Sequence, residues 1–267
     1  MTEPPTDRAT LVAISALAYL LAVGLHEHLG HASTCVLLGS HVVEMGAFFI
    51  DCDDASLSAA SVRAVAIAGP AVSLLTGVVC LTALRWLPPR AMRAFYCLWL
   101  LGTLGFMSAA GYPLFSGVTG LGDLGTGSDG ALRGAQPQWL WRTLLAVIGL
   151  LAYWSVAIWS ARLLGRRLAG GGEPRLRRAN RITRVSYFTG GVVYLAIGVF
   201  NPHGLPIMFE SVLPASLGGT SGLLWMMDTL RGQPPGTGPD LTLSRSLGWI
   251  VIAAVIVAAY ALVFAAR

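Results

Sequence analysis

The stretch LVAISALAYLLAVGL, residues 11 to 25, opens a succession of apolar runs that recur along the chain between proline-, glycine- and arginine-rich breaks. About 20 apolar residues are enough to cross a hydrocarbon core. Inside lipid the backbone must satisfy its own hydrogen bonds, so helices are the structures left to such segments. Composition agrees: 55% of the 267 residues are hydrophobic and 12% are charged, against roughly 25% charged in an ordinary soluble domain. The expected fold class is an all-α polytopic membrane protein with about six transmembrane helices.

The breaks divide the chain as follows. A first helix runs from about Ala9 to Leu38, too long at 1.5 Å per residue to fit a core of roughly 30 Å without tilting or projecting. It starts after a polar segment with Arg8, which has the look of a leader, but no small-residue cleavage site precedes the histidines, so it reads as retained. A strand or hairpin is expected between Gly39 and Ala60, in HVVEMGAFFIDCDD. Further helices are expected at about Ser61 to Trp86, Ala91 to Ala110, Trp139 to Leu164, Val185 to Phe200 and Leu243 to Ala266. Residues 111 to 130 are glycine-rich and too broken for an ordinary span. The apolar segment from Leu205 to Met227 is interrupted by Pro206, Pro214 and Gly218-Gly219, and reads as a re-entrant or interfacial piece or as another span.

The formal net charge of +5 comes from 18 basic residues, all arginine. They cluster in loops between apolar runs, which is the pattern of membrane topology; no nucleic-acid module accompanies them, so no nucleic-acid partner is expected. Counting six spans, loops 85–93 and 162–184 share a side with the N-terminus and carry most of the arginine, while loop 40–60 is acidic. A multi-pass protein of the cell membrane with both termini cytoplasmic follows; the C-terminus changes sides if residues 205 to 227 span. The four cysteines form no CxxC pair. Cys35, Cys80 and Cys97 read as packing residues, Cys52 as a free thiol, and no disulfide framework is implied.

Within the first apolar run stands His26-Glu27-His28-Leu29-Gly30-His31. Ionisable groups at membrane depth are costly and by default mark function. Imidazole nitrogen and carboxylate oxygen are zinc ligands, and in an HExxH helix the histidines lie one turn apart beside a glutamate base. Here the spacing is HExxxH. Positions five apart diverge by roughly 140° on an ideal helix, so His26 and His31 converge only if a π-bulge absorbs one residue. A site of Glu27, His28 and His31 needs no bulge. The set of His26, Glu27 and His31 is preferred, with His28 as the alternative ligand.

HEHLGHA resembles the HELGHA of the intramembrane site-2 metalloproteases with one residue inserted, and its lengthened spacing resembles the HELLGH of dipeptidyl peptidase III. Two further segments match the site-2 family in order. Ala68-Gly69-Pro70 in VAIAGPAVSLLTG resembles the AGPxxN helix, with Ser73 where asparagine is usual. PLFSGVTGLGDLG, residues 113 to 125, resembles the proline-glycine segment that ends in LDG, and places Asp123 as the third metal ligand. The asparagine that the family carries upstream is absent, with Ser108 and Ala110 nearby. The resemblance spans roughly residues 20 to 125.

What the resemblance implies is a zinc-dependent intramembrane endopeptidase within one membrane domain, residues 1–267. Residues 9–130 would form the protease core and 138–267 accessory helices. The metal would be held by His26, His31 and Asp123, with Glu27 as catalytic base and a membrane protein or peptide as substrate; the strand-like HVVEMGAFFI could pair with an unwound substrate by edge addition. Glu210 and Asp228 are other carboxylates available to a metal, Asn201-Pro202 reads as a helix stop, and His41 and His203 as loop residues. The alternative function is a non-proteolytic membrane protein of the same scaffold, with a structural zinc site or a role in metal or proton transport. A histidine-box di-iron oxygenase fits poorly, because the chain has only five histidines.

Overall fold

The computed structural model describes residues 6–201 and 204–264. It is mostly helical, with one small two-stranded antiparallel sheet. Helix α1 spans Arg8–Leu37 and contains a π-helical segment, Leu25–Ala32. The hairpin strands β1 (Val42–Met45) and β2 (Ile50–Cys52) follow, then α2 (Ala59–Ala83), α3 (Met92–Thr119), α4 (Gln138–Gly165), α5 (Gly172–Gly198) and α6 (Leu247–Phe264). Among the described residues, five helices (α1, α2, α3, α4 and α6) are long and apolar enough to cross a membrane. The expectation of about six is close, and α5 is the difference.

Helix α5 begins 13 residues before its expected start, taking in most of the arginine cluster that the sequence assigned to a loop. Arginine is a good helix former, and two of these side chains are buried ties. Arg178 grips Asp240 with Nη1 at 2.8 and 2.9 Å and also donates to the Leu241 carbonyl. Arg175 donates to the carbonyls of Gln233, Pro234 and Gly165 at 3.2, 2.8 and 2.9 Å. Charge patterning alone placed this segment in water; pairing is what lets it pack. The helix ends at Gly198, three residues before Asn201; Pro202 and His203 lie outside the described residues.

Helix α3 also overruns its expected end, continuing through Pro113 to Thr119. A proline inside a helix removes a backbone bond and ordinarily breaks it. Here tertiary packing wins: a Cβ on Gly117 would lie 2.4 Å from the Ala146 nitrogen, and one on Gly149 would lie 2.3 Å from the Leu114 nitrogen. Helices α3 and α4 therefore touch backbone to backbone across this stretch. Arg142 caps the end by donating to the carbonyls of Gly117 (3.1 Å) and Val118. Gly120, at φ 81°, then closes the helix in the left-handed region. The glycine-rich break is real, but starts at residue 120 rather than 111.

Residues 205–230 form a succession of short α, π and 3-10 turns. They run alongside α5 in the opposite direction. Ser211 Oγ donates to the Phe48 carbonyl of the hairpin at 2.8 Å, Tyr187 donates to the Leu217 carbonyl at 3.2 Å, and Leu230 packs on Gly165 at the far end. Irregular backbone within a membrane protein is tolerable only where protein satisfies it. The Tyr153 hydroxyl does so twice, donating to the Gly219 carbonyl at 2.7 Å and accepting from the Gly222 N–H at 2.9 Å. Buried polar bonds complete the bundle: Tyr19 to Thr220 (2.9 Å), Ser15 to Ser186 (2.7 Å), Tyr96 to Ser186 (2.6 Å) and Trp99 to the Ser160 carbonyl (3.0 Å).

Helix α6 lies parallel to α1. Its start meets Thr10 through Ser246, Ala253 packs on Ala13 and Leu17, and Tyr260 and Phe264 reach His28. Arg8 and Phe264 therefore sit at opposite ends of α1.

The hairpin is where the cysteine expectations fail. Cys35 and Cys52 form a disulfide across a sequence separation of 17 residues, tying the end of α1 to β2. Neither Cys35 as a packing residue nor Cys52 as a free thiol survives; Cys80 and Cys97 are free and buried as expected. No spacing rule pairs two lone cysteines, and it is the hairpin's return to α1 that brings them together. Closing a loop of this length is worth about 3 kcal/mol in the chain-entropy account. Cys52→Ser is expected to lower stability by about that amount, read as a drop in the thermal midpoint in detergent that excess reductant reproduces in the parent and does not deepen in the variant.

Candidate metal centre

The π-helical segment is the local answer to HExxxH spacing. Over Leu25–Ala32 the backbone takes in the extra residue, and the His26 and His31 rings meet edge to face with centroids 5.0 Å apart. Their Nε2 atoms lie 3.3 Å from each other. Asp123, 97 residues downstream of His26, brings Oδ2 to 3.1 Å from His26 Nε2 and 3.4 Å from His31 Nε2. His26, His31 and Asp123 thus form a possible metal-binding triad, with ligand atoms all within 4.8 Å.

These separations can be tested against an ion. Four ligands at 2.0–2.1 Å in tetrahedral geometry lie about 3.3 Å apart edge to edge. The three observed edges, 3.1, 3.3 and 3.4 Å, match that figure. The far side of each ring sets the protonation pattern. His31 Nδ1 lies 2.7 Å from the Val65 carbonyl, which can only accept, so Nδ1 carries the proton. His26 Nδ1 lies 2.9 Å from Ser73 Oγ, a hydroxyl able to accept in the same way. Both rings, when neutral, then present bare Nε2 lone pairs to a carboxylate oxygen. Three electron-rich atoms at this range repel unless positive charge sits among them, as a proton or a metal ion. Burial opposes ionisation of Asp123, but the His31 and His26 imidazoles outweigh it and hold the carboxyl below the ordinary carboxylate range.

Helix α2 brings Ser73 and Val65 to the centre, and its Ala68-Gly69-Pro70 segment has a physical reason. A Cβ on Gly69 would lie 2.2 Å from His31 Nε2 and 2.6 Å from His26 Nε2, inside the site itself. A Cβ on Gly30 would lie 2.7 Å from Gly69 Cα, so the two helices cross at paired glycines. Asp123 is aimed by the loop after α3. Gly122 just before it has φ 76°, and the Asp123 carbonyl accepts from the Ala131 N–H at 2.8 Å.

The remaining expected residues fall into place or away. Glu27 is 5% exposed and interacts electrostatically with His26, His31 and Asp123. His28, the alternative ligand, turns from the triad: its Nε2 meets the Gly46 carbonyl at 3.1 Å and its ring stacks on Phe264 with centroids 4.7 Å apart. Glu210 is exposed on the irregular segment, and Asp228 accepts from Asn180 at 3.1 Å, so neither joins the triad. His41 is in the exposed turn before β1, 3.7 Å from Asp53. Sequence reasoning missed Tyr112, whose ring stacks on His26 at 4.7 Å and 15°. Its place one residue before Pro113 carried no signal, because only the straight continuation of α3 brings it over the imidazole.

Two outcomes follow from this geometry. Gly69→Ala forces at least one imidazole aside and is expected to abolish retention of divalent metal in purified protein, measured by elemental analysis. Ser73→Ala removes the partner that fixes His26, and metal affinity should fall about 10- to 100-fold by competition with a chelator, while Ser73→Thr keeps most of it. Comparison with protein-family models, with curated proteins and with solved structures finds no match.

Proposed function

We propose that this chain is a zinc-dependent intramembrane endopeptidase, similar to the site-2 metalloproteases, that hydrolyses a peptide bond of a membrane-embedded substrate. One observation carries the reading: two imidazoles from a π-distorted HExxxH helix and a carboxylate 97 residues downstream of the first converge with the edge lengths of a tetrahedral site. Imidazole and carboxylate oxygen form a donor set suited to zinc. Three protein ligands leave a fourth position open, as catalytic sites do and closed structural sites do not. The departure of His28 toward Phe264 favours this open arrangement over a four-ligand one.

His26, His31 and Asp123 would hold the zinc ion, which would supply Lewis acidity toward a water molecule and a carbonyl. The chain does the rest. Val65 and Ser73 hold the two rings in the tautomer that points Nε2 inward. Tyr112 covers one face of His26. Glu27, following His26 on the same helix, accepts a proton from the attacking water at its carboxylate and returns it to the leaving amine nitrogen. The hairpin beside His28 offers a strand along which an unwound substrate segment can lie.

Two independent features support one orientation in the cell membrane. Most arginines gather at the end of the bundle that holds Arg8, the α2–α3 loop and the start of α5, which the positive-inside rule assigns to the cytoplasm. The Cys35–Cys52 disulfide sits at the opposite end, where an oxidising compartment is required. Because α6 runs parallel to α1, this orientation leaves the start of α1 cytoplasmic and the end of α6 outside. On this reading the two ends of the bundle's first and last helices lie on opposite sides, the arrangement expected if residues 205 to 227 span, and His31 and Asp123 lie toward the outer side.

Glu27→Gln tests the reaction. The variant is expected to keep the parent's zinc stoichiometry and to lose hydrolysis by about 100-fold or more, with new peptide termini in membranes containing the parent or the variant identified by mass spectrometry. Equal cleavage by the two would reject Glu27 as the base, and equal cleavage by an Asp123→Asn variant without metal would reject the assignment altogether.

A further inference from the structure

The chain has seven tyrosines, and six of them commit the hydroxyl to a protein partner. Tyr19 and Tyr96 meet the hydroxyls of Thr220 and Ser186 at 2.9 and 2.6 Å. Tyr153, Tyr187, Tyr194 and Tyr260 donate to the carbonyls of Gly219, Leu217, Tyr19 and Ala47 at 2.7 to 3.2 Å. That is the expected condition of a phenol inside a bundle, since a polar group buried without a partner carries a desolvation cost. Tyr112 is the exception: among the described residues its hydroxyl has no hydrogen-bond partner. Nor is it sealed away. The unpaired hydroxyls enclosed within the bundle belong to Thr103, Ser116 and Ser160, whereas Tyr112 is half-buried.

This unpaired phenol stands at the metal centre. Its ring lies 15° from parallel to that of His26, with centroids 4.7 Å apart, and Asp123 and Glu27 act on it electrostatically. Helix α3 places it there. Tyr112 belongs to that helix and Asp123 to the loop that follows, so one element brings both to the same imidazole. The other side chains present acceptors to the centre. Asp123 and Glu27 are carboxylates, and the two neutral rings turn bare Nε2 atoms inward because their protons lie on Nδ1. Peptide hydrolysis develops negative charge on the carbonyl oxygen under attack, and donors already in place at that oxygen lower the barrier. Tyr112 supplies a neutral donor among these acceptors.

We infer that Tyr112 is a catalytic residue of this centre, its phenol donating a hydrogen bond to the scissile carbonyl oxygen as that oxygen gains negative charge. The interaction transfers no proton and breaks no bond: Tyr112 keeps its hydrogen throughout, and proton transfer stays with Glu27. The inference rests on the peptidase reading and adds to it a residue that no motif marks. A purely structural role would need only the ring, since stacking on His26 makes no use of the oxygen. Phenylalanine separates the two roles, because it keeps the ring and removes the donor.

The test uses the full chain in detergent, loaded with cobalt(II) so that ligand binding is read from the visible absorption of the metal. Dimethylphosphinate is the probe, a tetrahedral anion whose two oxygens stand for those of an attacked carbonyl. Imidazole is the control, a metal ligand without such an oxygen. Tyr112→Phe is expected to retain the parent's cobalt stoichiometry and imidazole affinity. It should bind dimethylphosphinate about 10- to 100-fold more weakly, as for the loss of a hydrogen bond to a charged group. On a synthetic peptide spanning a bond that the parent cleaves, the same variant should lose about 100-fold or more in kcat with KM little changed. Equal phosphinate affinity in parent and variant overturns the proposal. So does a loss shared by imidazole, or a loss of cobalt, either of which gives the hydroxyl a structural role instead. Cleavage that Glu27→Gln abolishes and Tyr112→Phe leaves untouched rejects Tyr112 and spares the peptidase reading. Cleavage indifferent to Glu27→Gln rejects that reading and, with it, this role for Tyr112.

Discussion

Three electron-rich atoms held within 3.4 Å of one another at the heart of a membrane bundle are the constraint on which the rest of this structure turns. Two imidazole lone pairs and a carboxylate oxygen at that range repel. They stay together because each is held from behind. The Val65 carbonyl and the Ser73 hydroxyl take the outer ring nitrogens, and the backbone of Ala131 ties the Asp123 loop. The arrangement is complete only with positive charge among the three, a proton or a metal ion, which makes it a possible metal-binding triad.

The surrounding helices are shaped by that need. Two imidazoles cannot enter the crossing of α1 and α2 unless one helix lacks a side chain there, and Gly69 supplies the space while Gly30 lets the axes close. The π-segment stretches over the whole motif from Leu25 to Ala32, because one extra residue must be absorbed without breaking a helix that continues to Leu37. Helix α3 must run past Pro113 so that the loop after its last turn delivers Asp123, and its backbone contact with α4 keeps it running. The C-terminal half contributes no ligand, but α5 and the irregular residues 205–230 brace α1 through Tyr19, Ser15 and Tyr194.

Charge is divided along the bundle in a way that gives its two ends different chemistry. The disulfide, the hairpin and the candidate metal-binding triad lie toward one end, and most arginines lie toward the other. Some of those arginines are structural, as Arg175 and Arg178 are, each buried and hydrogen-bonded through its terminal nitrogens to backbone carbonyls or Asp240. Others face outward on the same helix two or three residues away. The distinction between an internal tie and a surface contact is made by helical phase alone.

The sequence by itself determined the class of solvent, the positions of most helices, and which three residues meet in a possible metal-binding triad. Apolar run length, the HEHLGHA cluster with its odd spacing, the Gly-Pro segment and the aspartate after glycine are all local patterns, and local geometry is enough to read them. It also foresaw the π-bulge, because two side chains five residues apart have no other way to share a face. Tertiary structure alone decided the rest. Whether His26 or His28 turns inward depends on what α2 and α6 present to each face of α1. The Cys35–Cys52 pairing depends on the return of a hairpin, the helicity of residues 111–119 on glycine contacts with α4, and the helicity of the arginine cluster on partners about 60 residues away. Each is a long-range contact outweighing a local preference, and no window of sequence contains both partners.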